Sequence, residues 1–301
     1  MVRYKEKPGF MKCTANKELF GVEVRALQAL RGGQPERYNL PVSAKSAFVG
    51  MLHAAQVSKG FFCIILNRIE GVRLAQFAKR LTPAERDQLL PGVFAQLIDA
   101  LDTIALAYMH RLGWVHGDIK SNNVIISRDA DDTPKATIID FDMSQRVGTN
   151  LMYSSGGTFG YQAPEDFLGA PVDQYKRDSW MLGATIYSSL AGTPPYGFMR
   201  NKKPKGVFKL SSLAMAQKML RVYHTSVNSY RPVKKAENAR LLAVMESLMT
   251  PDVDDRPTAI NLQGSTATWL AESGSEPADM PQIWTKVMSS AALPPPTPAD
   301  A

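Results

Sequence analysis

The run Val115-His-Gly-Asp-Ile-Lys-Ser-Asn-Asn-Val-Ile-Ile126 restricts this chain more than any other feature. It places a carboxylate (Asp118), an ammonium (Lys120) and a carboxamide (Asn123) on one short loop that feeds into an apolar strand. Asp140, in Ile139-Asp-Phe-Asp142, follows seventeen residues after Asn123. A lone Asp in a loop is usually a turn residue or a cap. Four such groups at these intervals instead describe a site. Asn123 and Asp140 offer hard oxygens suited to Mg²⁺, Lys120 a point positive charge, and Asp118 a hydrogen-bond acceptor.

The chain has 301 residues, 45% of them apolar and 21% charged, as expected for a soluble globular protein. At roughly 100–200 residues per domain this predicts one large domain or two lobes. Collagen, coiled coil and bulk disorder are excluded. No window holds the ~20 uncharged apolar residues of a membrane span. Met1 to Pro8 is charged and lacks the apolar core of a signal peptide. Cys13 and Cys63 are the only cysteines, so neither a disulfide framework nor a Cys-built zinc site is expected.

Gly9 to Thr14 reads as a strand. Glu18 to Leu30 predicts a helix, with Phe20, Val24, Leu27 and Leu30 at helical spacing and Arg31-Gly-Gly as its stop. Two apolar runs, 47–57 and 61–66, are split by Ser58-Lys-Gly, a hairpin turn. Residues 85–112 predict one long helix, with Leu89, Val93, Leu97, Leu101, Ile104 and Tyr108 on its apolar face. Short strands follow at Val124-Ile-Ile and Thr137-Ile-Ile. From residue 175 to about Ser273 the chain reads mostly helical. The Pro/Ala-rich end, from Ala291, is expected to be disordered. No internal repeat is visible. A small strand-rich part followed by a larger helical part predicts an α+β fold.

Three further motifs keep the same order: Gly157-Thr-Phe-Gly-Tyr-Gln-Ala-Pro-Glu165, Asp178-Ser-Trp-Met-Leu-Gly183 and Asp255-Arg-Pro-Thr258. With the first two they resemble the eukaryotic protein-kinase fold over residues 9–265, through its H-R-D-L-x-x-x-N loop, D-F-G and A-P-E motifs. The resemblance implies a bilobal architecture. Residues 1–70 would form a strand-rich N-lobe and hinge, 71–273 a helical C-lobe, and 274–301 a C-terminal extension. It also implies a protein serine/threonine kinase that uses ATP and Mg²⁺ on protein substrates. Asp118 would orient the substrate hydroxyl, Lys120 would hold the transferred phosphoryl, and Asn123 and Asp140 would bind the metal. Thr158 would bridge Asp118 and Lys120, as in Ser/Thr kinases. Lys12 matches the family's strand lysine, with Lys17 as a rival, and Glu23 matches its helix partner. Ile64 to Gly71 resembles the strand and hinge beside adenine. There Leu66 would be the gatekeeper, backbone groups of Asn67 and Ile69 would meet the base, and Ile125 would line the same pocket. Leu27, Leu52, His116 and Phe141 fit the family's stacked apolar spine. Glu165 and Arg256 are expected to form a buried ion pair.

Three departures from the family pattern matter. Gly117 replaces the Arg that meets a phosphorylated activation-loop residue, so activity is expected without that phosphate. Asp142 replaces the Gly of D-F-G and is expected to stiffen the loop. Only eleven residues precede Lys12, with one Gly among them, too few for a Gly-rich hairpin with strands of usual length. Either the chain is truncated or the loop is absent by design. In the missing loop and the His116-Gly117-Asp118 variant the chain resembles the with-no-Gly-loop (WNG) kinases of coccidian parasites. That implies secretion into the parasitophorous vacuole; otherwise a cytoplasmic location is expected. Phe10 stands where the family has a small Ala, and is expected to pack on adenine or cover the open cleft. Without a Gly loop, weaker ATP binding is expected. A pseudokinase that binds or scaffolds is the alternative function. A small-molecule kinase is disfavoured by Ala163-Pro-Glu165 and Arg256, which build a peptide platform.

The net charge of +7 is concentrated. Arg200, Lys202, Lys203, Lys205, Lys209, Lys218, Arg221, Arg231, Lys234 and Lys235 share a stretch without Asp or Glu. This is a local patch on a slightly acidic remainder. Phe208, Leu210, Leu213, Met219 and Leu220 interleave with the charges in the manner of an amphipathic helix. The plain reading is a solvated helix face and loop. The functional reading is docking on an anionic membrane surface or an acidic partner. Nucleic acid is not expected, because no reading motif accompanies the charge. A monomer is expected.

Overall fold

The computed structural model describes residues 1–38, 40, 42–58, 60–98, 105–148, 151–154, 156–201, 206–234, 236–262, 264–277 and 279–289. The N-terminal part holds β1 (Val2–Tyr4), β2 (Lys7–Thr14), α1 (Lys17–Gly32), β3 (Met51–Ser58) and β4 (Phe61–Asn67). Next come β5 (Gly71–Arg73), α2 (Leu74–Arg80), α3 (Pro83–Ile98), α4 (Leu106–Arg111), β6 (Trp114–Val115), β7 (Val124–Arg128) and β8 (Pro134–Ile138). They are followed by β9 (Gln145–Arg146), β10 (Leu151–Met152), β11 (Val172–Asp173) and α5 (Gln174–Ala191). The remainder is β12 (Phe198–Asn201), β13 (Gly206–Lys209), α6 (Ser212–Thr225), α7 (Ala239–Leu248), α8 (Ala259–Leu262), α9 (Ser265–Ala271) and α10 (Met280–Met288).

The N-terminal strands make one antiparallel sheet in the order β1-β2-β4-β3. Its register sets Phe10 opposite Leu66, Lys12 opposite Ile64 and Cys13 opposite Cys63. Side chains alternate along a strand, so Phe10 and Lys12 share a face. Helix α1 lies against β3 and β4. Asn16 caps it, accepting from the amides of Glu18 (2.9 Å) and Leu19 (3.1 Å). Its buried residues are Glu23, Ala26, Leu27 and Leu30. They recur every three or four positions and define one inward stripe, which therefore includes a carboxylate.

A second sheet, β5-β7-β8, explains how distant residues converge. Val124 pairs with Ile138, and the Ile139 amide donates to the Asn123 carbonyl at 2.9 Å. The strand start after Asn123 and the strand end before Asp140 are thereby neighbours. The Val49 amide donates to the Ile138 carbonyl at 3.0 Å and joins the N-terminal part to this sheet. Below it, α5 is buried along almost its whole length, with Arg177, Asp178 and Trp180 fully enclosed. Asp173 caps its start and Gly192, at φ +77°, ends it in the left-handed conformation that favours glycine.

The structure corrects several expectations. The predicted helix over 85–112 appears as α3 and α4; Leu101 and Ile104 lie outside the described residues. A short hairpin does precede Lys12: β1 pairs with the front of β2 around Lys5-Glu6, both at positive φ, as a two-residue turn requires. It fits because its second strand is the Lys12 strand itself. The basic stretch opens as the hairpin β12–β13, and helical geometry begins only at Ser212. The apolar face of α6 (Met215, Met219, Val222) is buried against the protein, so Phe208 and Leu210 belong to no amphipathic helix. The Pro/Ala-rich end lies outside the described residues.

The largest correction concerns the cysteines. Cys13 and Cys63 are joined by a disulfide, with Cα atoms 4.1 Å apart. The fifty-residue separation conceals a pairing that the β2–β4 register makes direct. A loop of this length gives about 4 kcal/mol of stabilisation in the chain-entropy account. Mass spectrometry after alkylation without reductant is expected to find both thiols protected. The Cys13→Ser, Cys63→Ser double variant should be about 2–4 kcal/mol less stable in urea unfolding. Two alkylated thiols in the untreated protein would refute the bond.

Candidate active site

The loop after β6 is held from below. Asp178, fully buried on α5, accepts from the backbone amides of His116 (2.8 Å) and Gly117 (2.9 Å) and pairs with His110 Nε2 at 3.0 Å. Burial alone would raise its pKa, but these partners hold it below the usual carboxylate range. Gly117 sits at φ +79°, where a side chain is strained. The replacement of Arg at this position therefore also relieves the backbone.

With the loop pinned, Asp118, Lys120, Asn123 and Thr158 meet. Thr158 donates to Asp118 Oδ1 through both Oγ1 (2.7 Å) and its amide (2.9 Å). Lys120 Nζ lies 2.7 Å from Asp118 Oδ2 and 2.7 Å from Thr158 Oγ1. Asn123 Nδ2 donates to the Asp118 carbonyl at 3.0 Å, which leaves its oxygen available for a ligand. Burial pushes the Asp118 pKa up, yet the Lys120 and Thr158 bonds pull it below its ordinary value. Ionised Asp118 thus contributes stability above pH ~4, lost as the pH falls through its lower folded value.

Opposite this group stands Lys12, which meets Glu23 (3.1 Å), Asp140 (2.5 Å) and Asp142 (3.0 Å). Burial lowers the Lys12 pKa, but the three carboxylates outweigh it and raise the value above normal. Burial dominates at Glu23 and raises its pKa. Lys12, rather than its rival Lys17, occupies the site. Asp140 adopts φ +69°, a left-handed conformation that short polar side chains tolerate. Asp142 was expected only to stiffen its loop; here it is an additional counter-ion for Lys12.

The other expected residues are distributed as follows. Leu66 is buried at the end of β4. The Asn67 backbone amide is already used, donating to the Gly50 carbonyl at 2.7 Å, so it is not the group that meets a ligand. Ile69 is half-buried in the following link, and Ile125 half-buried on β7. Phe10 is 54% exposed beside Leu66. His116 and Phe141 pack at 5.0 Å between centroids with their rings tilted by 57°. Phe48 also packs on Phe141, at 6.0 Å, a contact with no periodic sequence signal because Phe48 belongs to no regular strand.

The segment 156–166 is anchored twice. Arg256 donates from Nη1 (2.5 Å) and Nη2 (3.0 Å) to the two oxygens of Glu165, all buried. Arg177, which sequence reasoning missed, is fully buried and donates to Asp166, to the Gly156 carbonyl and to Gln174 Oε1 (2.8 Å). Burial raises the pKa of Asp166 despite Arg177. A charged residue in the first turn of an apolar helix was the available signal.

The family model described as protein kinase domain matches residues 39–267, well over half of the chain. Lys12 and Glu23 lie outside that span. Sperm motility kinase 2B of Mus musculus is 30% identical over 49% of this chain and 28% of its own length. Probable serine/threonine-protein kinase 2 of Plasmodium falciparum is 27% identical over 72% of this chain and 38% of its own. The chain thus spans only about three to four tenths of these relatives.

Removing Arg177 strands the Asp166 carboxylate in the interior. Arg177→Met is expected to destabilise the protein by about 3–5 kcal/mol in urea unfolding. A loss below ~1 kcal/mol would show that the anchor carries no weight.

Proposed function

Since the chain belongs to the protein kinase family, we propose that it is an active protein serine/threonine kinase that transfers the γ-phosphate of ATP to protein hydroxyls. The observation that carries this reading is the closed set Asp118–Thr158–Lys120, with every contact at 2.7–2.9 Å. Asp118 would accept a hydrogen bond from the substrate hydroxyl and aim it at the phosphorus. Lys120 would stay beside the transferred group as a fixed charge. Asn123 and Asp140 present the hard oxygens that suit Mg²⁺, and a bound Mg²⁺ would neutralise phosphate charge. Lys12, held by Glu23, would meet the nucleotide phosphates once Asp140 turns to the metal. Leu66, Ile125 and the backbone of Asn67 and Ile69 would enclose the base.

We further read residues 1–70, 71–273 and 274–301 as N-lobe with hinge, C-lobe and extension. Gly117 in place of Arg, and the Lys5-Glu6 turn between β1 and β2, which carries no glycine, favour the WNG-type subfamily. The Cys13–Cys63 disulfide is what an oxidising, secretory location would select. The double anchoring of 156–166 by Arg177 and Arg256, together with Gly117, supports activity without an activating phosphate.

The decisive experiment is transfer from γ-labelled ATP to a generic acceptor protein. Asp118→Ser and Asp140→Ser are each expected to reduce transfer at least 10²-fold. Labelling that is absent in the unmodified protein, or unaffected by both changes, would make the chain a pseudokinase. The KM for ATP is expected to rise as the pH falls towards the raised Glu23 pKa, because a neutral Glu23 releases Lys12. A KM that stays flat as the pH falls to the ordinary Glu value of about 4.3 would remove that role from Glu23.

A further inference from the structure

The hairpin that opens the basic stretch reaches the candidate active site at the ring of Phe159. Phe159 directly follows Thr158, whose hydroxyl and amide hold Asp118. From the hairpin, Phe198 meets Phe159 edge-on at 6.2 Å, and the Lys209 ammonium stands 4.7 Å from the centre of the same ring. Phe198 and Lys209 are register partners, so one face of the hairpin supplies both contacts. The opposite face turns the cross-strand pair Met199 and Phe208 to solvent, 51% and 43% exposed.

Charge along this stretch has one sign. From residue 200 to 235 the sequence contains no carboxylate. An ammonium fixed over the ring that follows Thr158, the residue bonded to Asp118, has a complement: a carboxylate on the chain that presents the hydroxyl. We propose that Lys209, seated on Phe159, is a specificity-determining residue that selects Ser/Thr acceptors flanked by Asp or Glu, with Met199 and Phe208 offering apolar contact to the same acidic segment. This rests on the kinase reading and adds its substrate class. A membrane would also attract basic and apolar groups. However, the α6 apolar face is buried, and the Lys209 ammonium is fixed on the ring that directly follows Thr158.

The test uses the full chain and a set of Ser peptides that differ only in carrying Asp, Ala or Lys within three residues on either side of the acceptor. In the unmodified protein, kcat/KM for an Asp-flanked peptide is expected to exceed that for the Ala-flanked one at least fivefold. The ratio should fall to near one in Lys209→Ala, and Lys209→Glu should favour the Lys-flanked peptide. Thermal unfolding of both variants checks that the fold is kept. A ratio near one in the unmodified protein, or a ratio that neither variant alters, overturns the proposal while leaving kinase activity in place. If no peptide is labelled, fluorescence anisotropy of the same peptides separates the two readings. Acidic preference in binding that Lys209→Glu abolishes upholds the docking site and refutes phosphotransfer. Sedimentation with phosphatidylserine but not phosphatidylcholine vesicles, coupled with no peptide preference, assigns the patch to a membrane and also overturns the proposal.

Discussion

A fully buried carboxylate, Asp178, sets the geometry on which the site depends. It accepts two consecutive backbone amides, those of His116 and Gly117, and the loop therefore leaves β6 in one conformation only. Such a carboxylate is costly to bury, and the bonds it accepts offset that cost. The next residue is Asp118. Its direction follows from the two before it, so this carboxylate is aimed by helix α5 beneath it. Thr158 and Lys120 then close on an acceptor that is already oriented.

Across the cleft the logic is inverted. Lys12 is a single cation among three carboxylates, Glu23, Asp140 and Asp142. Glu23 is fixed on a buried helix face, whereas Asp140 and Asp142 belong to a loop partly open to water. A group of this composition carries excess negative charge, which suits the proposed receipt of cations together with a polyanion. Asp142 supplies part of that excess. The two halves of the site are built on different physical terms: one is closed by neutral and charge-assisted hydrogen bonds, the other by an unbalanced ion cluster.

Sequence made the first half legible because its residues lie close together in the chain. Asp118, Lys120 and Asn123 span six positions, and Thr158 belongs to a motif of its own. Helix α1 was equally visible through its spacing and its Gly-Gly end. What escaped is what depends on pairing over distance. Cys13 and Cys63 look like two unrelated thiols until the register of β2 with β4 is known. Arg177 looks like the polar side of a helix until that helix proves to be enclosed. The hairpin 198–209 was hidden because its short strands alternate too briefly to show a period of two, and its charges suggested a helix face instead. Asp142 was seen as a lost glycine, since backbone freedom can be read from residue type and a new counter-ion cannot.

The last helix has a consequence of its own. Trp284 on α10 is buried against Phe77 of α2 and donates its indole N–H to the Asp132 carbonyl, in the turn between β7 and β8, at 2.7 Å. Ile283 and Val287 are enclosed beside it, and Arg80 donates to the Val287 carbonyl. The family match stops at residue 267, yet these side chains roof the rear of the sheet that carries Asn123 and leads to Asp140. The cooperative folding unit therefore outruns the borders by which relatives are recognised, and a fragment trimmed to those borders would leave an apolar trough where this chain has a lid.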